Sequence, residues 1–280
     1  FTACPQQFFE MAELLALRGF RSVLPLLPGH GRQFVDPNGE AIDDLPVADN
    51  WESAYGLFAE QINGLMAFAD GERVIGGLSA GGTATLFVNI RAPQIYDRTL
   101  LYAPFFAPGT NVLAGSAVAV TTGTPGVREA SVKPFGIKEP CLDKRADGRA
   151  GFCNYQLKHV AALNAMADSV RASLEATPLA VPLQFVGVEN DSVANNSVSR
   201  QYLDSRHGDG LTSACFFPDG VPHAMISGYD SPDIEMFWLD SLLSGSIGFI
   251  TRGEPFPHTG QPSIPENPYP ICATTAERRD

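Results

Sequence analysis

The feature that most constrains this chain is a short apolar strand that turns sharply into a helix. Residues 73–76 (RVIG) form the predicted strand, Gly77-Leu78-Ser79-Ala80-Gly81 the turn, and residues 83–92 the helix. A serine on such a turn holds its hydroxyl above the strand ends, and flanking glycines remove side chains that would clash there. A GxSxG pattern also occurs by chance in Gly-rich loops, but here strand and helix flank it in the required order. The sequence therefore predicts Ser79 as a nucleophile, with the Ala80 N–H at a helix N-terminus that can hold an oxyanion.

Strands and helices alternate along most of the remaining chain, which predicts an α/β protein with a mostly parallel sheet covered by helices on both faces. Residues 1–103 and 154–250 supply this core. Residues 104–153 are rich in Gly, Pro, Ala and Thr, and are too long for a plain connection, so we expect a small cap or lid insertion. Residues 251–280 are Pro-rich and aperiodic, and they are expected to form a surface tail or to be poorly ordered.

Charge and composition argue against several classes of function. The chain has 19 Lys and Arg against 31 Asp and Glu, a net charge of -12, and no basic cluster. Such a surface repels phosphate backbones, so nucleic acid is not an expected partner. No apolar run reaches the roughly 18 residues that a membrane helix needs, so we expect no membrane span. No CxxC or Cys/His pair has zinc-site spacing, and the sequence predicts neither a metal nor a cofactor.

The cysteines number five: Cys4, Cys141, Cys153, Cys215 and Cys272. A disulfide between Cys141 and Cys153 could close the loop between them, and a bridge from Cys272 to Cys4 or Cys215 would fasten the end of the chain. The alternative is that they are buried thiols that pack as small hydrophobes. The cysteines and the Pro-rich end favour export, although nothing in the sequence fixes the compartment.

A serine nucleophile needs a base, usually a histidine held by a carboxylate. His223 follows the last core strand, in PDGVPHA, at the edge where the Ser79 turn is expected. A satisfied surface histidine is the alternative interpretation. His30 follows the first strand, in LPGHGR, and is expected to brace that turn. The remaining histidines, His159, His207 and His258, are expected to be solvated.

The carboxylate partner should follow the strand PLQFVGV at residues 182–188, whose carboxyl end lies at the same edge of the sheet. The loop that follows contains two candidates, Asp191 and Glu189, and we favour Asp191 with Glu189 as the alternative. Asp219 lies close to His223 in sequence and is interpreted as a turn former. The order Ser79, Asp191, His223 is the chain order of one known arrangement for acyl transfer.

Together, GLSAG, PLLPGHGR, VGVENDSV and GVPHA resemble the α/β-hydrolase superfamily, and most closely its carboxylesterases and monoacylglycerol lipases with a short cap. The resemblance covers about residues 1–245. It implies Ser79 as nucleophile, His223 as general base and Asp191 as the residue that orients the base. It also implies Ala80 N–H as one oxyanion donor and residues 104–153 as the cap.

The sequence departs from this family at its beginning. In the family, a strand ending in a His-Gly pair precedes a segment like residues 1–3, and the amide after that pair is the second oxyanion donor, here Phe1. In the sheet, that strand would lie between the predicted strands at residues 22–26 and 73–77, and its absence would leave buried backbone groups unpaired. We therefore expect an N-terminal segment of the same protein, or another segment, to fill this place.

The resemblance implies hydrolysis of small or medium uncharged carboxylic esters through an acyl-enzyme. Leu78 and Val193 near the turn, and Val112 and Leu113 in the cap, are the candidate contacts for a small-molecule ester, although the cap residues could equally be cap core. Two alternatives stay open. Other chemistry of this fold (a thioesterase, amidase, aminopeptidase or acyltransferase) shares the same motifs, and a catalytically silent binding module shares the fold.

Overall fold

Strands and helices alternate along the chain in a computed structural model, which describes residues 5–30, 34–35, 41–42, 45–109, 131–132, 155–226, 236–264 and 267–274. A 3-10 turn at Pro5–Phe8 leads into the first of six described α-helices: α1 (Phe9–Ala16), α2 (Trp51–Ala67), α3 (Ala80–Arg91), α4 (Leu157–Ala176), α5 (Asn196–Ser205) and α6 (Leu239–Arg252). The described strands are β1 (Phe34–Val35), β2 (Ala41–Ile42), β3 (Val74–Leu78), β4 (Arg98–Tyr102), β5 (Ser131–Val132), β6 (Tyr155–Gln156), β7 (Leu183–Val188), β8 (Thr212–Phe217), β9 (His258–Ile264) and β10 (Asn267–Cys272).

A six-stranded sheet in the order β3-β4-β7-β8-β10-β9 organises the fold. Strands β3, β4, β7, β8 and β10 are parallel, and only β9 runs antiparallel to its neighbour. The carboxyl ends of the parallel strands therefore meet at one edge, where open α/β sheets bind their ligands. Both the predicted fold class and the predicted mostly parallel sheet are confirmed.

The sheet is covered on both faces because successive residues of its inner strands point to opposite sides. In β4, Leu101 packs with residues of α2 to α5, whereas Leu100 and Tyr102 pack with α1 and α6. All three side chains are at most 2% exposed. Strands buried on both faces read as continuous apolar runs, which is why RTLLY and LQFVGV are recognisable in the sequence.

The sequence also predicts a strand at residues 22–26, and this prediction is wrong. Residues 21–27 form no strand, and their Val23 and Leu26 side chains are exposed. Among the described residues, no backbone hydrogen bond joins this segment to β3, which pairs only with β4. A strand is defined by its hydrogen-bonded neighbour, and apolar composition alone does not supply one.

Residues 257–262 are exposed, as expected for a surface segment, but the expectation of an irregular tail at residues 251–280 is wrong for its described part. Strands β9 and β10 extend the sheet beyond β8, where Ile271 pairs with Phe216. Proline lacks an N–H donor, so strands that contain it are confined to the margins of a sheet, where the lost hydrogen bonds are tolerated. Cys272 at the end of β10 forms a disulfide with Cys215 in β8, one of the pairings the sequence left open.

We expect this disulfide to contribute substantially to stability. It closes a loop of 57 residues, for which chain-entropy arguments give about 4 kcal/mol. The double variant C215S/C272S should therefore lose about 3–4 kcal/mol of unfolding free energy in urea titrations. Dithiothreitol should produce a similar loss in the wild type and a smaller one in the double variant, which lacks this disulfide. Equal unfolding free energies for the oxidised wild type and the double variant would contradict the prediction.

Candidate active site

Ser79 lies on the sharp turn between β3 and α3. Its backbone adopts φ 54° and ψ -122°, a conformation that is costly for a residue with a Cβ and is held only when its surroundings impose it. Three backbone contacts do so: Ser79 N–H donates to the Tyr102 carbonyl at 2.9 Å, and the Ser79 carbonyl accepts from Thr83 N–H at 3.2 Å and Phe105 N–H at 3.1 Å. The turn therefore fixes the serine relative to the carboxyl ends of β3 and β4.

The glycines of the GxSxG motif are not equivalent. A Cβ on Gly77 would lie 2.4 Å from the backbone carbon of Gly81, so only glycine fits there. A Cβ on Gly81 would meet nothing within 4 Å, so the motif's second glycine is not required by packing. Gly82, one residue beyond the motif, is confined instead, since its Cβ would lie 2.9 Å from the Pro104 Cβ.

This asymmetry yields a prediction with a built-in control. G77A should force the turn open, lower the free energy of unfolding by about 2 kcal/mol or more, and displace Ser79. G81A should leave stability unchanged or slightly raised, because alanine is the better helix former by about 1 kcal/mol. Urea unfolding of both variants checks the prediction, which fails if they are equally stable.

A carboxylate and a histidine meet at the same edge of the sheet. Asp191 Oδ2 lies 2.7 Å from His223 Nδ1, with the Asp191 side chain fully buried and that of His223 only 15% exposed. Asp191 Oδ1 accepts from the N–H groups of Val193 at 2.8 Å and Ala194 at 3.0 Å, so both carboxylate oxygens are engaged. Nε2 of His223 is buried and has no hydrogen-bond partner among the described residues.

The structure thus pairs His223 with Asp191 but does not hydrogen-bond it to Ser79. Hydrogen bonds between a catalytic base and its nucleophile are often long before substrate binds. Glu189, the alternative acid, contacts Asn267. Asp219 accepts a hydrogen bond from Asn190 at 2.6 Å at an exposed turn.

Backbone hydrogen bonds connect the serine turn to the loop that carries Asp191. Phe105 N–H donates to Ser79, and two residues later the Ala107 carbonyl accepts from Asn195 N–H at 3.0 Å. Gly109 N–H then donates to the Val193 carbonyl at 2.7 Å. The segment after β4 therefore ties the loops after β3 and β7 to each other.

Backbone strain also marks this edge. Among the described residues, three non-glycine residues have positive φ: Ser79 at 54°, Ala103 at 37° and Asn190 at 51°. They follow the carboxyl ends of β3, β4 and β7, which are adjacent in the sheet. Strained residues of this kind cluster at functional sites. The conformations of Ala103 and Asn190 leave no sign in the sequence, because they depend on tertiary contacts.

Of the other predicted site residues, three are described by the structure and three are not. Ala80 is buried and opens α3, where the first N–H groups of a helix have no intrahelical acceptor. Leu78 is buried at the end of β3, and Val193 is half-buried in the Asp191 loop. The candidates Phe1, Val112 and Leu113 lie outside the described residues, as does nearly all of the predicted cap.

Three other histidines make local contacts with the backbone. His30 Nδ1 lies 3.2 Å from the Pro28 carbonyl, and burial lowers the pKa of His30 to about 4. His159 was expected to be solvated, which is wrong: it is 2% exposed, and its Nδ1 accepts from Gln156 N–H at 3.1 Å at the start of α4. His258 is exposed, and its Nδ1 accepts from Gly260 N–H at 3.1 Å.

In the part of the chain that the structure describes, no group of three His, Cys, Asp or Glu side chains is arranged to hold a metal ion. The helices described there include none long and apolar enough to cross a membrane.

A mostly parallel sheet with helices on both faces, and a serine on the turn after β3, are features of the α/β-hydrolase fold. No protein-family model and no curated protein sequence matches the chain. Solved structures do. A monoacylglycerol lipase from Paleococcus ferrophilus shares 13% identity over 89% of this chain and 90% of its own, with a TM-score of 0.63.

Two further solved structures extend this likeness. A soluble variant of the monoglyceride lipase from Saccharomyces cerevisiae is 9% identical over 90% of this chain and 83% of its own, with a TM-score of 0.61. A structure from work on LipS and LipT, two metagenome-derived lipolytic enzymes, is 18% identical over 89% of both chains, with a TM-score of 0.57. The fold is shared, at low identity, with lipolytic enzymes.

Proposed function

We propose that this chain is a serine hydrolase that cleaves carboxylic esters through an acyl-enzyme on Ser79. The observation that carries the proposal is the Asp191–His223 contact of 2.7 Å, which leaves a buried Nε2 without a partner among the described residues, at the edge of the sheet that also holds Ser79. A histidine whose Nδ1–H is held by a carboxylate has its other nitrogen available to accept a proton.

The proposed reaction has two halves. His223 Nε2 takes the Ser79 hydroxyl proton as Oγ attacks the ester carbonyl, and Asp191 stabilises the charged imidazole. The protonated His223 then gives its proton to the departing alcohol oxygen as the ester C–O bond breaks. Water repeats the sequence on the acyl-enzyme: His223 takes its proton, the acid is released, and Ser79 regains its hydrogen.

The negative oxygen that develops in each half needs hydrogen-bond donors. The proposed donor among the described residues is the N–H of Ala80, the first residue of α3, at the positive end of that helix's dipole. A donor of this kind typically lowers the barrier by about 3 kcal/mol. The proposed second donor, Phe1, remains a prediction from the sequence.

The choice of esters over other acyl compounds rests on comparison. The similar solved structures are described as lipases and lipolytic enzymes, which act on esters. Small-molecule esters are thus the proposed substrates, with acyl groups of short or medium length.

The test is hydrolysis of p-nitrophenyl esters of increasing acyl length, together with a thioester and an anilide that carry the preferred acyl group. Labelling with a fluorophosphonate, followed by mass spectrometry of the modified peptide, locates the nucleophile. Ester turnover and labelling at Ser79 are expected. Faster turnover of the thioester or the anilide would overturn the ester assignment, and a folded protein without labelling would overturn the serine mechanism.

A further inference from the structure

Glu189 and Asn267 form a buried polar contact beneath the loop that carries Asp191. Asn267 Nδ2 donates to Glu189 Oε1, and Asn267 and Glu189 are 0% and 5% exposed, respectively. A buried carboxylate is costly unless donors satisfy it, and a donor lost from such a group costs more than an ordinary hydrogen bond. The contact spans 78 residues of sequence and joins the loop after β7 to the first residue of β10.

Glu189 and Asp191 anchor the same short loop at two points. Glu189 N–H donates to the Phe217 carbonyl at 2.8 Å, so it continues the pairing of β7 with β8. The chain then turns at Asn190, whose φ of 51° lies in the left-handed region that asparagine adopts more readily than most residues other than glycine. Asp191 follows and contacts His223. Only one residue separates Glu189 from Asp191, so a shift of Glu189 would be passed on to Asp191.

Asn267 is itself held in place by the sheet. It begins β10, which is joined to β8 by the Ile271–Phe216 pairing and by the Cys215–Cys272 disulfide. The same strand is joined to α5 by Tyr269, whose hydroxyl donates to Asp204 at 2.7 Å. The hairpin of β9 and β10 thus presents the Asn267 amide from a fixed position.

We propose that Asn267 is a positioning residue, which acts through Glu189 to keep Asp191 in register with His223. The inference rests on the proposed function, since it assigns a role in the same reaction. Glu189, which the sequence offered as an alternative to Asp191, thereby has a different role: it anchors the loop that carries Asp191.

The test replaces the amide of Asn267 and the carboxylate of Glu189, separately and together, by the other group of nearly the same shape. N267D sets two buried carboxylates against each other, whereas E189Q leaves an amide oxygen that can still accept from Asn267. The double variant E189Q/N267D restores one hydrogen bond with its direction reversed, because the new amide then donates to the new carboxylate. Y269F is the matched control, because it removes another side-chain contact of the same strand without touching the Asp191 loop.

Each variant is assayed for kcat and KM on the best p-nitrophenyl ester, with rates divided by the concentration of sites titrated with fluorophosphonate. We expect N267D to lose about tenfold or more in kcat with KM little changed, as a displaced catalytic group would. The acid limb of its pH profile of kcat/KM should move as well, because the Asp191–His223 contact is disturbed. E189Q should keep most of the wild-type kcat. The double variant should regain most of the kcat that N267D loses, and Y269F should match the wild type.

A purely structural contact would give a different pattern. N267D would then melt at lower temperature but show wild-type kcat and pH profile per titrated site, and that result would overturn the proposal. If N267D does not fold, N267S replaces it, since serine removes the contact without adding charge, and the same two readouts decide. Wild-type protein that titrates at no serine would instead overturn the proposed function, so the two failures are distinguishable.

Discussion

Replacing Ser79 with alanine should lower kcat for ester hydrolysis by a factor on the order of 10⁴ to 10⁶, because the proposed acyl-enzyme forms on the Ser79 hydroxyl. KM should change little, since the hydroxyl contributes to the transition state far more than to substrate binding. Stopped assays with the best p-nitrophenyl ester, at enzyme concentrations high enough to detect the residual rate, measure the loss.

The S79A variant is expected to fold normally. Alanine carries the same Cβ as serine, so the backbone strain at φ 54° is unchanged, and the three backbone hydrogen bonds of the turn remain. The matched control is S173A, which removes a serine hydroxyl from the exposed surface of α4, where it donates to the Ser169 carbonyl at 2.8 Å. S173A should keep full activity. An S79A protein with activity near that of S173A would mean that another nucleophile acts.

The parts of the fold that could be predicted from the sequence are those that local pattern determines. β4 and β7 are apolar runs because both faces are buried, and the turn at Ser79 is recognisable because Gly77 has no room for a side chain. The positions of Asp191 and His223 followed from topology, because loops after parallel strands share one edge of the sheet.

The features that could not be predicted depend on partners that are distant in sequence. Residues 22–26 have the composition of a strand, but no described neighbour pairs with them. Strand β10 is Pro-rich, and its sequence predicts a tail. The disulfide of Cys272 with Cys215 and the pairing of Ile271 with Phe216 nevertheless place it in the sheet. The Glu189–Asn267 contact left no local signal in either segment, which is why Glu189 stayed an alternative to Asp191 as the partner of His223.

The choice between Asp191 and Glu189 as the partner of His223 can be tested by replacing each carboxylate with the corresponding amide. D191N should keep the loop intact, because the amide oxygen can still accept from Val193 and Ala194 as Asp191 Oδ1 does at 2.8 and 3.0 Å. Its NH₂ group would face His223 Nδ1 and favour the tautomer that carries its proton on Nε2. A histidine in that form cannot accept the Ser79 proton, so kcat should fall by about 10³- to 10⁴-fold.

E189Q is the control for D191N, because it makes the same chemical change two residues away. The amide oxygen that E189Q introduces can still accept from Asn267, so the kcat of this variant should stay within a few-fold of the wild type. The comparison is made at one pH above the acid limb, with rates divided by titrated sites. If E189Q lost more activity than D191N, Glu189 would be the residue that orients His223, and the 2.7 Å contact of Asp191 would have to be one that the catalytic cycle does not use.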